Sequence, residues 1–217
     1  MLKTLKKTSK VLDVRKLAES TSVVRFERKG FQFEPGQYIR VGIEGNPDIR
    51  DYSVYSGVED DFLEVLVRRV EEGRVSRQLC DLEPGGEVGV GGPYGHFKLL
   101  EKVRKKPLLF VSTGTGISPF HCFVDSYSGL DYRLLHGTGL AAETYEAAHY
   151  GDRYFHCVSR EDGGDFRGRV TEHLRLLGIE PETNAFLCGN CNMIYEAFDL
   201  LQEKGLPTAQ IHTEVYF

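Results

Sequence analysis

Hydrophobic patterning changes character once along this chain, close to Lys106, and that change limits the folds open to it. Before it, short runs alternate apolar with polar residues or are β-branched: Val11 to Val14, Ser22 to Phe26, Tyr38 to Ile43, Tyr52 to Tyr55 and Phe62 to Val70. Turn signals separate them, among them Pro35-Gly36, Gly45-Asn46-Pro47 and Pro84-Gly85-Gly86. Many short strands at this spacing predict a barrel or sandwich. After Lys106 the apolar runs are continuous: Leu108-Leu109-Phe110-Val111, Tyr132 to Leu135, Tyr154 to Val158, Ala185 to Leu187 and Ile211 to Val215. Helical stretches lie between them, at Val170 to Leu177 and Met193 to Leu201. In the latter, Ile194, Phe198 and Leu201 recur at helical spacing and Gly205 closes the end. Buried strands alternating with helices predict a parallel sheet with helices on both faces. The charged join Glu101-Lys102-Val103-Arg104-Lys105-Lys106 reads as a short surface connection. The expected architecture is β plus α/β: an antiparallel β-barrel over residues 1–100, then a parallel-sheet, Rossmann-like domain over residues 101–217.

Charge and cysteine usage narrow the function. Basic residues number 27 and acidic 32, a net charge of −5, so nucleic acid is not an expected partner. No apolar run reaches the roughly 18 residues of a membrane span. The start, Met1 to Lys7, has no apolar core behind its lysines and does not read as a secretory signal. Five cysteines, an odd count, do not form a disulfide framework, and a reduced, cytoplasmic protein is expected.

Several short motifs suggest chemistry. On a strand, Arg50 and Tyr52 of Arg50-Asp51-Tyr52-Ser53 share one face and Asp51 and Ser53 the other. A guanidinium can pair with a diphosphate, an aromatic ring can stack on a planar heterocycle, and a hydroxyl can meet a ring nitrogen. The plain alternative is a surface arginine beside half-buried tyrosines. Gly73-Arg74-Val75-Ser76 opens a short helix whose backbone N–H groups suit an anion, with Ser76 as a simple N-cap the rival reading. Gly114-Thr115-Gly116-Ile117-Ser118-Pro119 follows an apolar strand and precedes a helix. Its glycines permit close approach of backbone to a ligand, but Pro119 replaces the third glycine of the usual dinucleotide fingerprint. The acidic ribose-binding residue of that fingerprint is also missing, the chain reading Leu134-Leu135-His136-Gly137 at that place. Cys188-Gly189-Asn190-Cys191 stands between a buried strand and a helix, where a redox dithiol competes with a structural role. No second cysteine pair supplies ligands for zinc or an iron–sulfur cluster, and no metal is expected.

In this order, the motifs resemble the ferredoxin–NADP⁺ reductase family over residues 9–217. Phe33-Glu34-Pro35-Gly36-Gln37-Tyr38 resembles its barrel signature, Arg50-Asp51-Tyr52-Ser53 its flavin motif and Gly73-Arg74-Val75-Ser76 its pyrophosphate helix. Gly92-Pro93-Tyr94-Gly95 is similar to the segment closing the flavin domain. Gly114 to Pro119, and Cys188-Gly189-Asn190 with Met193, resemble its two nicotinamide-site loops. Glu214-Val215-Tyr216 resembles the plant-type ending, with Phe217 similar to the extra aromatic of certain bacterial members.

The resemblance implies FAD held by Arg50, Gly73, Val75 and Ser76 at its diphosphate, with Val67 and Thr115 further contacts. Tyr52 would stack on one face of the flavin, Tyr216 and Phe217 on the other, and Ser53 would hydrogen-bond near the hydride-accepting nitrogen. Gly114, Thr115, Gly116, Cys188, Gly189 and Glu214 would hold the nicotinamide, making Ser53, Cys188, Glu214 and Tyr216 the catalytic set. Ser159, Arg160 and Arg169 would receive a 2′-phosphate, so NADPH is favoured over NADH. Departing from the family, the segment after the second strand, His136-Gly137-Thr138-Gly139, lacks the arginine often found there. The implied activity passes electrons between NADPH and an external one-electron carrier, ferredoxin or flavodoxin, from a monomer. The alternatives are an NAD(P)H-dependent flavin or ferric reductase, or the electron-transfer subunit of a larger oxidoreductase. Arg68, Arg69, Arg74 and Arg77 form a basic cluster suited to steering an acidic carrier.

Overall fold

A computed structural model describes Leu5, residues 7–43 and residues 46–216. Phe217, Gly45 and most of the lysine-rich start lie outside the described residues. Two compact units emerge: residues 1–98 with 118–126, and residues 99–117 with 127–217.

In the first unit, β1 (Lys7–Ala18), β2 (Thr21–Glu27), β3 (Tyr38–Ile43), β4 (Ile49–Ser53), β5 (Phe62–Arg68) and β6 (Glu87–Tyr94) form a six-stranded antiparallel sheet in the order β4-β3-β6-β1-β2-β5. The two outer strands are joined just past β4. Val54 bridges Val65, and the Tyr55 N–H donates to the Glu64 carbonyl at 2.8 Å. Closure leaves the barrel few unpaired edges and gives the apolar alternation one interior to fill. Val11, Val24, Phe26, Ile39, Val41, Val65 and Val88 meet there. Strand β6 escaped sequence reading because Glu87-Val88-Gly89-Val90-Gly91-Gly92 is rich in glycine, a poor strand former. A short helix, α1 (Arg74–Cys80), buries Val75 and Leu79 against this core.

The charged join is more ordered than a simple connection: α2 (Glu101–Arg104) makes one helical turn and buries Val103. The second unit then builds β7 (Leu108–Thr113), β8 (Tyr132–Thr138), β9 (Tyr154–Val158), β10 (Phe166–Arg167), β11 (Asn184–Asn190) and β12 (Ile211–Tyr216) into a parallel sheet, order β10-β9-β8-β7-β11-β12. On one face, helices α5 (Val170–Leu176) and α6 (Cys191–Glu203) press Leu174, Ile194, Ala197 and Leu201 onto Leu109, Val111, Leu135 and Leu187. A one-turn helix, α4 (Ala147–Tyr150), precedes β9. The chain moves outward from β7 through β8, β9 and β10, then returns to the other side of β7 with β11. Ligands of open α/β sheets bind outside the carboxyl ends of the strands at such a reversal.

Helix α3 (Ser118–Ser126) groups with the barrel, although it lies in the second half of the chain. Its apolar residues explain why: Phe120 and Phe123 pack on Phe97, and Cys122 joins the barrel core. The His121 ring stacks on Tyr55 with centroids 3.7 Å apart, and its Nδ1 donates to the Tyr55 carbonyl at 2.8 Å. Gly36 lies beneath this helix at φ +88°, and a Cβ there would fall 1.9 Å from the Phe97 carbonyl oxygen. Gly36→Ala is therefore expected to lower the melting temperature by about 5–10 °C, from left-handed strain and the backbone clash together. Calorimetry showing an unchanged transition would contradict this packing.

Candidate functional site

In the first unit, strand pairing sets which side chains of β4 share a face. Tyr52 lies opposite Ile39 and Arg50 opposite Val41, while Ser53 lies opposite Tyr38 and Asp51 opposite Arg40. The Tyr52 ring packs at the margin of the barrel core and remains partly exposed. Burial raises its phenol above the ordinary tyrosine range, so it is a neutral aromatic plate at physiological pH. Arg50 is exposed and donates to the Ile49 carbonyl at 2.9 Å. Ser53 is buried.

Beyond β5, Gly73 precedes α1 in an extended conformation and supplies no side-chain cap. Ser76 is the third helical residue, not the N-cap. Its Oγ accepts from the Val70 N–H at 3.2 Å and occupies the place a Cβ on Gly73 would need. The first-turn N–H groups of Val75 and Ser76 therefore have no capping side chain, which suits an anion. The Val67 side chain is wholly buried in the barrel core, so a ligand contact by this residue is left to its main chain.

In the second unit, the Gly114–Ile117 segment forms a 3₁₀ turn directly after β7. A Cβ on Gly116 would lie 2.4 Å from the Cys188 carbonyl oxygen, and one on Gly189 would lie 2.5 Å from Thr113 Oγ1. Only glycine allows this approach. Thr113 Oγ1 also accepts from the Asn190 N–H at 2.9 Å, and the Asn190 side chain caps α6 by accepting from the N–H groups of Asn192 and Met193. These contacts fix the carboxyl ends of β7 and β11 together.

Cys188 lies opposite Glu214 in the β11–β12 ladder, and Asn190 opposite Tyr216. The Cys188 thiol donates to Glu214 Oε2 at 3.9 Å. Burial, then the Glu214 charge, pushes the thiol well above its usual range, against a smaller opposing hydrogen bond with Tyr216. Cys188 is thus a neutral thiol, which argues against a reactive dithiol. The structure brings Thr115, Cys188, Gly189, Glu214 and Tyr216 to the carboxyl ends of β7, β11 and β12.

Ser159 and Arg160 follow β9, and Arg169 occupies the N-cap position of α5 after β10, where its N–H donates to Glu172 Oε2 at 2.7 Å; all three are exposed. The Ser159 hydroxyl donates to the Thr138 carbonyl at 3.0 Å, and the Arg160 N–H to the Gly139 carbonyl at 3.1 Å. One neighbour went unread in the sequence. Glu143 Oε2 accepts from the Gly139 and Leu140 N–H groups at 3.1 and 3.2 Å, beside the Gly139 surface over which Arg160 lies. The signal was an acidic residue in the loop after β8, beyond the place where the ribose-binding acid was sought. Adjacent carboxylate and guanidinium groups temper one another's effect on a phosphate.

A flavin-binding barrel unit followed by a parallel nucleotide-binding unit defines a class of two-unit flavoprotein reductases. Residues 8–99 match the oxidoreductase FAD-binding domain family. Over 96% of its length the chain is 28% identical to ferredoxin–NADP reductase B of Sorangium cellulosum, covering 96% of that protein. It is 27% identical to the toluate 1,2-dioxygenase electron transfer component of Pseudomonas putida over 95% of this chain, but spans only 66% of that relative's length. Among solved structures, a cytochrome P450 reductase of Amycolatopsis superposes with a TM-score of 0.85 at 26% identity, over 96% of this chain and 68% of that one. A ferredoxin NADP⁺ reductase from Neisseria gonorrhoeae with bound FAD and NADP shares the fold, with a TM-score of 0.85 at 22% identity over 97% and 98% of the two chains. Over most of its length the chain is thus similar to ferredoxin–NADP reductases of several bacteria.

Because Cys188 is buried and held protonated, its alkylation by iodoacetamide at pH 8 is expected to run at least about 50-fold slower than that of an unhindered thiol. Mass spectrometry of time points checks this. Modification of Cys188 in step with the partly exposed Cys191 would contradict the assignment.

Proposed function

We propose that this protein is an FAD-dependent reductase that takes hydride from NAD(P)H and delivers electrons singly to an external carrier. The observation that carries the reading is the pairing of two constellations of the family. The barrel unit has a neutral Tyr52 plate beside Arg50 and an uncapped helix start at Val75 and Ser76. The parallel-sheet unit has a glycine-only turn at its strand-order reversal. These features fit an aromatic ring system with a diphosphate in the first unit and a nucleotide in the second.

FAD, when bound, supplies the capacity to accept a hydride and release electrons one at a time. The protein's own contribution is position and electrostatics. Arg50 and the Val75 and Ser76 N–H groups hold the diphosphate, and Gly73 lets the chain turn close to it. Tyr52 supplies an apolar face, and Ser53 a hydroxyl near the hydride-accepting nitrogen. Thr115, Cys188 and Glu214 hold the nicotinamide carboxamide. The neutral Cys188 contributes a weak donor and adds no negative charge beside the ring, and Tyr216 shares its end of the sheet. Arg160, Ser159 and Arg169 receive the 2′-phosphate, with Glu143 reducing the preference for NADPH over NADH.

Arg68, Arg74 and Arg77 are exposed and provide a docking surface for an acidic carrier, ferredoxin or flavodoxin. Arg69 contributes less, because its guanidinium pairs with Asp81. A carrier within an oxygenase system is the second reading, favoured by the likeness to the toluate dioxygenase component. No helix is long and apolar enough to cross a membrane among the described residues.

In steady-state turnover, Arg160→Ala is expected to raise the NADPH KM about tenfold and leave the NADH KM nearly unchanged, as for loss of one charge-assisted hydrogen bond. Equal changes for both nucleotides would overturn the phosphate role. The rate of electron delivery to ferredoxin should fall as salt rises, and fall further in a double Arg74→Ala, Arg77→Ala variant. A rate indifferent to ionic strength, or faster delivery to free FMN than to ferredoxin, would remove the docking role.

A further inference from the structure

The second unit contains a buried histidine that the proposed reaction does not use. His136, near the end of β8, is 0% exposed, yet both ring nitrogens are engaged. Nε2 lies 2.9 Å from the Gly114 carbonyl oxygen and Nδ1 lies 2.7 Å from the Tyr154 hydroxyl. A carbonyl only accepts, so Nε2 carries the proton and donates it to Gly114. Nδ1 is then an acceptor, and the Tyr154 O–H donates to it. This single arrangement fixes the tautomer and the ring orientation.

The surroundings keep it so. Tyr145 and His156 also face the ring, with centroids 5.2 and 5.9 Å away. His156 Nε2 lies 2.7 Å from Thr138 Oγ1, whose own proton goes to the Leu140 carbonyl at 2.9 Å. Burial pushes the His136 imidazolium down to about 3, with the Gly114 bond opposing and His156 reinforcing the shift. Its donor role therefore does not change across the working pH range.

Gly114 is the first residue of the turn after β7 and adopts φ +52°. In a planar trans peptide the carbonyl and the following N–H point in opposite directions. Holding the Gly114 oxygen against a ring inside the unit thus aims the Thr115 N–H, and with it the start of the 3₁₀ turn, away from that ring.

We propose that His136 is a positioning residue for the nicotinamide portion of NADP(H), acting through its hydrogen bond to the Gly114 carbonyl. It fixes the Gly114–Thr115 peptide on which the nicotinamide-binding turn is built, and Tyr154 sets the tautomer that makes this possible. The inference rests on the reading that this turn takes the nicotinamide. It predicts an effect confined to one end of the dinucleotide.

The test uses FAD-loaded protein and two probes, NADP⁺ and adenosine 2′,5′-bisphosphate, the second lacking the nicotinamide. Calorimetric titration of His136→Leu should show NADP⁺ bound about tenfold more weakly, the loss of one buried hydrogen bond. Binding of adenosine 2′,5′-bisphosphate should stay within twofold of wild type. His136→Gln, which keeps a donor in reach of the Gly114 carbonyl, should recover most of the loss. Tyr154→Phe should fall between. Nitrogen-15 spectra of the wild-type imidazoles should hold one ring in the neutral Nε2–H form from pH 5 to pH 8, its signal missing in His136→Gln. Equal loss for both probes, no loss for NADP⁺, or titration of His136 near pH 6.5 would each overturn the proposal. Should the leucine variant fail to fold, Tyr154→Phe and the wild-type spectra still decide it. Wild-type protein that holds FAD but binds no NADP⁺ would overturn the functional reading as well. Wild-type binding without a His136 effect would overturn this inference alone.

Discussion

The second unit depends on one close approach, that of the Gly116 backbone to the carbonyl of Cys188. At this distance no side chain fits on Gly116, and the reciprocal contact of Gly189 with Thr113 forbids one there too. The turn after β7 and the end of β11 are thereby held as one rigid edge, at the place where strand order reverses. Catalysis by proximity needs such an edge, because small errors in ring placement cost rate steeply. The Thr113–Asn190 hydrogen bond and the Asn190 cap of α6 extend the same rigidity into the helix.

Charge at this edge is restrained by burial. Cys188 is kept as a thiol by its surroundings and by Glu214, and His136 is kept neutral by its own enclosure. Glu214 is the acidic member of the proposed nicotinamide set. The barrel half follows a similar logic, presenting Tyr52 as a neutral plate and placing the exposed guanidinium of Arg50 two residues away along the same face. In the proposed reaction, a hydride donor and acceptor that change charge would be met by groups whose own protonation states stay fixed near neutral pH.

Much of this was legible in residue order. Period-two runs before residue 100 and continuous apolar runs after Lys106 were sufficient for the barrel and the parallel sheet, because burial on one face or both leaves different patterns. Strand β6 was hidden by its glycines, and α2 by a run of charges that looked like plain linker. Glycines in motifs marked the tight backbone contacts well, since a close approach leaves no substitute. The burial of the Val67 side chain was not legible, because position along a strand does not reveal which face of a closed barrel it meets. Glu143 and His136 were unread as functional for a related reason. Their partners, the Gly139 and Leu140 N–H groups in one case and the Gly114 carbonyl in the other, are main-chain atoms that leave no mark in sequence. The affiliation of α3 with the barrel likewise comes from packing of Phe120, Cys122 and Phe123, which no local pattern distinguishes from packing on its own sheet.

The account stands on the barrel unit holding a flavin that the nucleotide reduces. Absorbance spectroscopy of the purified protein under anaerobic conditions, with FAD supplied and then a slight excess of NADPH, tests this most directly. The account predicts a yellow protein whose flavin bands bleach on adding the nucleotide. A colourless protein that takes up no FAD, or bound FAD that neither NADPH nor NADH bleaches, would contradict it.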